Sequence, residues 1–111
     1  MLHVSDRTDD RVTAGLPETV DLYTTPGLRA VGDRILDEGC LHLTLDASHT
    51  AQMDSTGITM LITWYQRLER LGGTMSVTDV HHHLYDLLLR LGLDSVMTIT
   101  PHATTTDAPS S

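Results

Sequence analysis

Leu41, Leu43 and Leu45 alternate with polar residues, and after a polar connection Ile58, Leu61, Ile62, Tyr65 and Leu68 recur at intervals of three and four. The first spacing is that of a strand with one buried face, the second that of an amphipathic helix. A strand running into a long helix constrains the chain strongly, because the two share a core when the helix lies across a sheet. The same alternation flanks this unit. Upstream, Arg11–Leu16 suits a short strand and Pro17–Thr25 a connection. Thr25-Pro26 opens a helix, with Thr as cap and Pro where its missing N–H costs nothing. Leu28, Val31 and Ile35 form its apolar face, and Gly39 ends it in a left-handed conformation. Downstream, Gly72-Gly73 stops the second helix and Thr74–Val77 reads as a strand. Thr78-Asp79 offers a cap for a third helix bearing Leu84, Leu87, Leu88 and Leu91, closed by Gly92. Val96–Thr100 suits a last short strand. No internal repeat is visible. The order predicts an α/β domain over residues 11–100, a mixed or parallel sheet covered by helices. Residues 1–10 supply an edge strand around Leu2–Ser5 or a flexible lead, and residues 101–111, mostly Thr, Ser, Ala and Pro, read as a disordered tail.

Composition narrows the function. The 111 residues fit one domain, and with no Phe, one Trp and three Tyr the core must be mainly Leu, Ile, Val, Met and Ala. Seven Arg, no Lys and 15 acidic residues give a net charge of −8. Nucleic acid or an anionic membrane is therefore not the expected main partner, since phosphate binding needs clustered cations, and a basic protein surface is favoured instead. The single cysteine, Cys40, precludes an intramolecular disulfide and reads as a small buried residue. No apolar run approaches the ~18 residues of a membrane span and no signal peptide opens the chain, so the expected address is the cytoplasm. A short, highly charged domain is expected to be a monomer, and no cofactor is implied. A phosphate-binding loop ending in Gly-Lys-Ser/Thr is absent, as expected if ATP belongs to a partner.

The chemistry concentrates in Leu43–Leu71, where a strand ends in Asp46 and Asp54-Ser55-Thr56-Gly57 begins the long helix. Asp54, Ser55 and Thr56 are natural caps. A hydroxyl at this point also lies beside unpaired N–H groups and the positive end of the helix dipole, where phosphate carrying ~1.5–2 negative charges is well accommodated. Residue chemistry leaves both roles open.

The tract resembles the STAS domain of bacterial anti-sigma factor antagonists, whose mark is a strand ending in Asp, a short loop, and Asp-Ser-(Ser/Thr)-Gly opening a helix. Glu18 and Asp21, before Leu22-Tyr23-Thr24-Thr25-Pro26-Gly27-Leu28, resemble the family's Gly-Glu-x-Asp and first helix. Arg70-Leu71-Gly72-Gly73 resembles the turn after the second helix, and Leu91-Gly92-Leu93-Asp94 the Gly-Leu-Asp near the end. The likeness covers roughly Arg11–Ile99. Pro17-Glu18 replaces the family's Gly-Glu with one extra residue before Asp21, and Thr78-Asp79 replaces an Asn common there.

The resemblance implies a STAS-like fold and a switch with no catalysis of its own. Ser55 is the implied phosphoacceptor. Unphosphorylated, such a protein binds an anti-sigma factor and frees its sigma factor. The anti-sigma factor, often a GHKL-type serine kinase, phosphorylates the antagonist and ends the binding, and a PPM-type serine phosphatase restores it. Asp54 orients the loop and caps the helix, Thr56 and Gly57 shape the turn, Gly57 lets a partner approach closely, and Asp21 joins the binding surface.

Other features admit two readings. Met60 and Trp64, four apart beside the core stripe, either pack against a neighbouring helix or form a partly exposed partner-binding hot spot. His81-His82-His83 reads as a solvated helix start: consecutive helical residues diverge, and His82 with Asp86 has zinc-ligand spacing but no third ligand. Ser55 lacks the Gly-x-Ser-x-Gly context of a hydrolase nucleophile. A STAS scaffold or small-ligand sensor without a phosphorylation cycle is the alternative function.

Overall fold

The computed structural model describes residues 2–102, and the remainder of the predicted tail lies outside them. The elements are β1 (His3–Thr8), β2 (Arg11–Gly15), β3 (Thr19–Val20), α1 (Thr25–Asp37), β4 (His42–Asp46), β5 (Gln52–Met53), α2 (Ser55–Arg70), β6 (Thr74–Val80), α3 (His82–Arg90), a 3-10 turn (Leu93–Ser95) and β7 (Thr98–Pro101). Five strands form a sheet in the order β1-β2-β4-β6-β7, with β1 antiparallel to β2 and the remaining pairs parallel. The expected α/β order is thus observed, and His3–Thr8 forms the antiparallel edge strand.

Each parallel connection moves one strand farther in the same direction across the sheet. Right-handed crossovers then place all three helices on one face. Side-chain alternation agrees. Val12, Ala14, Leu43, Leu45, Met75, Val77 and Ile99 are buried, and the in-register row Thr13, Thr44, Ser76 and Thr98 lies on the other, polar face.

The helices lock together through a glycine. A methyl group at Gly32 of α1 would run into the Trp64 ring of α2, so the missing side chain is the space the indole fills. Trp64 is fully buried and its Nε1–H donates to Asp33 Oδ1 at 3.0 Å. Arg67, farther along α2, donates to Asp37 Oδ1 at 2.8 Å. Cys40, between the end of α1 and β4, is buried, and burial pushes its thiol pKa up, as suits an unreactive core residue.

Several boundaries differ from expectation. The connections Pro17–Thr25 and Ala47–Met53 contain β3 and β5, which pair parallel through Thr19–Gln52 and Val20–Met53. Two residues are too few to display a period. β6 continues past Val77 to Val80 through an irregularity that places Asp79 at φ 56°, so Thr78-Asp79 belongs to a strand and is not the cap of α3. His81 occupies that position without a side-chain cap. Thr24, not Thr25, is the N-cap of α1, and β7 extends through Pro101 into the predicted tail.

Candidate functional site

The helix α2 starts where several strand ends converge, and main-chain and side-chain hydrogen bonds hold the loop before it. Ala47 N–H donates to Thr78 O at 2.8 Å, and Asp46 Oδ1 accepts from Ser48 N–H at 2.9 Å. Thr50, fully buried, donates its hydroxyl to Pro17 O at 2.9 Å. Ala51 and Gln52 N–H both donate to Glu18 O, at 2.8 and 3.1 Å, and Asp54 N–H donates to Val20 O at 3.0 Å. The short β3–β5 ladder thereby ties the segment carrying Asp21 to the start of α2.

Asp54 caps the helix from an extended conformation, its Oδ1 accepting from Thr56 N–H at 2.9 Å and Gly57 N–H at 3.2 Å. Ser55, the first helical residue, is exposed, and Thr56 is half-buried. These bonds correct one expectation. Two of the N–H groups that would receive an anion at this helix start are already held by the Asp54 carboxylate, so an anion placed there would meet a like charge. A second carboxylate repeats the device on the neighbouring segment: Asp21 Oδ1 accepts from Tyr23 N–H at 2.9 Å and Thr24 N–H at 3.0 Å.

The structure brings Asp21, Asp54, Ser55 and Thr56 into one neighbourhood and removes three other expected contact residues from it. Gly57 is buried. A Cβ there would lie 2.6 Å from Val20 Cγ1 and 2.8 Å from Met53 Cγ, so this glycine admits the chain's own β3–β5 ladder and not a partner's backbone. Met60 and Trp64 are both fully buried and have no surface to offer. Trp64 packs against α1, Met60 lies in the core, and the reading of a partly exposed hot spot is overturned.

Sequence reasoning missed two features. Leu22 and Tyr23, quoted as part of a motif, are 62% and 87% exposed beside the site. The histidine run is also more than a solvated helix start. His81 Nε2 lies 2.7 Å from Ser48 O and His83 Nε2 3.1 Å from Ala51 O. A carbonyl can only accept, so both imidazoles carry a proton on Nε2 and clasp the loop before Asp54. Only folding joins residues so distant in sequence. His82 points away, its Nε2 3.3 Å from Asp86 in an exposed pair. Among the described residues, no three His, Cys, Asp or Glu side chains gather as metal ligands, and no helix is long and apolar enough to cross a membrane.

The sequence profile of the family described as "Mlab, STAS domain" matches residues 3–100. The chain belongs to the STAS family. This STAS domain is 30% identical over 81 residues to the anti-sigma F factor antagonist of Paenibacillus polymyxa, covering 72% of this chain and 69% of that one. Its fold is shared with an anti-sigma factor antagonist from Mycobacterium paratuberculosis, at a TM-score of 0.79 and 21% identity over 91% of this chain and 85% of that one. It is shared too with the Bacillus cell fate determinant SpoIIAA in its phosphorylated form, at a TM-score of 0.72 and 17% identity, over 89% and 90% of the two chains. The STAS domain thus stands among the anti-sigma factor antagonists of its family, proteins named for opposing another protein and not for a reaction.

Proposed function

We propose that this STAS domain, unphosphorylated at Ser55, binds an anti-sigma factor and thereby releases a sigma factor. The anti-sigma factor is a serine kinase of the GHKL type that phosphorylates Ser55 and ends the complex, and a PPM-type phosphatase restores it. Asp21, Asp54, Ser55 and Thr56 form the centre of the contact. The cycle uses ATP held by the partner and runs in the cytoplasm on a monomeric antagonist.

One observation carries the reading. Ser55 is exposed at the first turn of a helix whose nearby N–H groups are already held by Asp54. A phosphate there adds ~1.5–2 negative charges to a surface that already carries the Asp54 and Asp21 carboxylates, and the cap that starts the helix stays in place. The modification changes what the surface binds while the fold remains.

Ser55→Ala is expected to bind the anti-sigma factor constitutively and to resist its kinase. Ser55→Asp is expected to bind weakly, since a loss of ~3 kcal/mol at the centre of an interface is more than a hundredfold in affinity. Calorimetric titration of both variants checks this, and equal affinities would sink the reading. A cleft of about 600 Å³, lined in part by His3, Gly15, Glu18, Asp46 and His49, is the place that the alternative, a small-ligand sensor, would use. Native mass spectrometry finding a bound metabolite, with Ser55 unmodified, would favour that alternative.

A further inference from the structure

Large apolar side chains on this surface are few, and two of them, Leu22 and Tyr23, stand side by side in the segment bound to the start of α2. Their loop is inside out. Its polar groups are paired with one another: Asp21 Oδ1 accepts from Tyr23 and Thr24 N–H, Thr24 Oγ1 accepts from Asp21 N–H at 2.8 Å, and Thr25 N–H donates to Asp21 O at 3.0 Å. Its apolar groups face solvent, with Tyr23 at 87% and Leu22 at 62% exposure. A loop rigid in its backbone that presents a Leu and a Tyr has already met most of the ordering cost of binding. Tyr is a preferred anchor because it buries a large area for two side-chain torsions.

The loop adjoins the phosphosite. Asp54 N–H bonds Val20 O at 3.0 Å, and Val20 Cγ1 packs where a Gly57 side chain would be. At 3.8 Å between successive Cα atoms, Leu22 stays within roughly 16 Å of Ser55. A partner covering ~800 Å² of one protein reaches that far.

We propose that Leu22 and Tyr23 are the apolar anchor of the anti-sigma factor interface, inserted into a hydrophobic pocket of the partner bordered by Arg or Lys. The basic border follows from charge: Glu18, Asp21 and Asp54 lie along this segment and the helix start, in a chain with no lysine and a net charge of −8. The anchor supplies affinity and Ser55 the switch. This assignment rests on the function proposed above.

The test titrates each purified GHKL-type anti-sigma factor of the host against the wild-type domain. The tightest binder is then titrated against Tyr23→Ala, Leu22→Ser, Tyr23→Phe and Ser55→Asp. Tyr23→Ala and Leu22→Ser are expected to weaken binding about 30-fold or more, chiefly through faster dissociation, with thermal unfolding unchanged. Tyr23→Phe is expected to bind within about threefold of wild type, because the ring supplies the contact. The loss in Tyr23→Ala persists at high salt, whereas the overall affinity falls as salt screens the basic border. If Ser55→Asp weakens binding while Tyr23→Ala and Leu22→Ser stay within twofold, the anchor is overturned and the switch stands. If no such factor binds the wild type, both fall together.

Discussion

Helix α2 is held very differently at its middle and at its start. At Trp64 it buries a large side chain in a space left by Gly32, with an indole hydrogen bond to Asp33. At Ser55 it turns an unpacked hydroxyl to solvent, and its order comes from the Asp54 cap and the β3–β5 ladder. The middle stores packing energy, and the start stores geometry. The switch proposed for Ser55 suits a start built from geometry, because a group added to a packed seam would cost the fold itself. The two regions should therefore separate under mutation, stability tracking the seam and binding tracking the helix start.

Trp64→Ala should have the largest effect, destabilising the domain by about 3–5 kcal/mol in urea unfolding through the cavity it leaves beside Gly32. Binding by the molecules that remain folded should be little changed, and a specific loss of binding at full stability would return Trp64 to the interface. Gly57→Ala comes next. Its methyl would lie 2.6 Å from Val20 Cγ1 and 2.8 Å from Met53 Cγ, so side chains of the β3–β5 ladder must give way, at a cost of about 1–3 kcal/mol despite the helix preference of Ala. Unchanged or raised stability in urea would show that the ladder does not brace the helix start. Asp54→Ala removes the cap and should cost about 1 kcal/mol, while Asp54→Asn, which keeps the acceptor, should cost much less. A matched loss in both variants would mean that the charge of Asp54, not its hydrogen bonds to Thr56 and Gly57, holds the turn.

Much of the fold was legible because the repeated units are long enough to show their period. Leu43 and Leu45 are buried in β4, and Leu61 and Leu68 in α2, as their spacing required. The stripe on α2 was nonetheless centred too far to one side. Ile58, Ile62 and Tyr65 are half-buried, whereas Gly57, Met60 and Trp64 are in the core. A helix wedged between a sheet and a second helix has a buried face wider than a simple stripe, and the gap at Gly32 decides which flank is covered. The same ambiguity made Met60 and Trp64 plausible surface residues until packing resolved it.

Local chemistry alone determined that Asp54 would cap a helix and that Ser55 would lie at its first turn, because a cap acts over two or three residues. It also determined the alternation of strand and helix, the acidic balance and the family motif. Tertiary structure alone decided that β3 and β5 would pair, that Gly57 would face Val20, that His81 and His83 would clasp the loop before Asp54, and that Leu22 and Tyr23 would stand exposed beside Ser55. Each of these depends on segments distant in the chain meeting at one end of the sheet. Such contacts have no period and no local propensity, and they exist only once the core has set the positions of the elements that carry them.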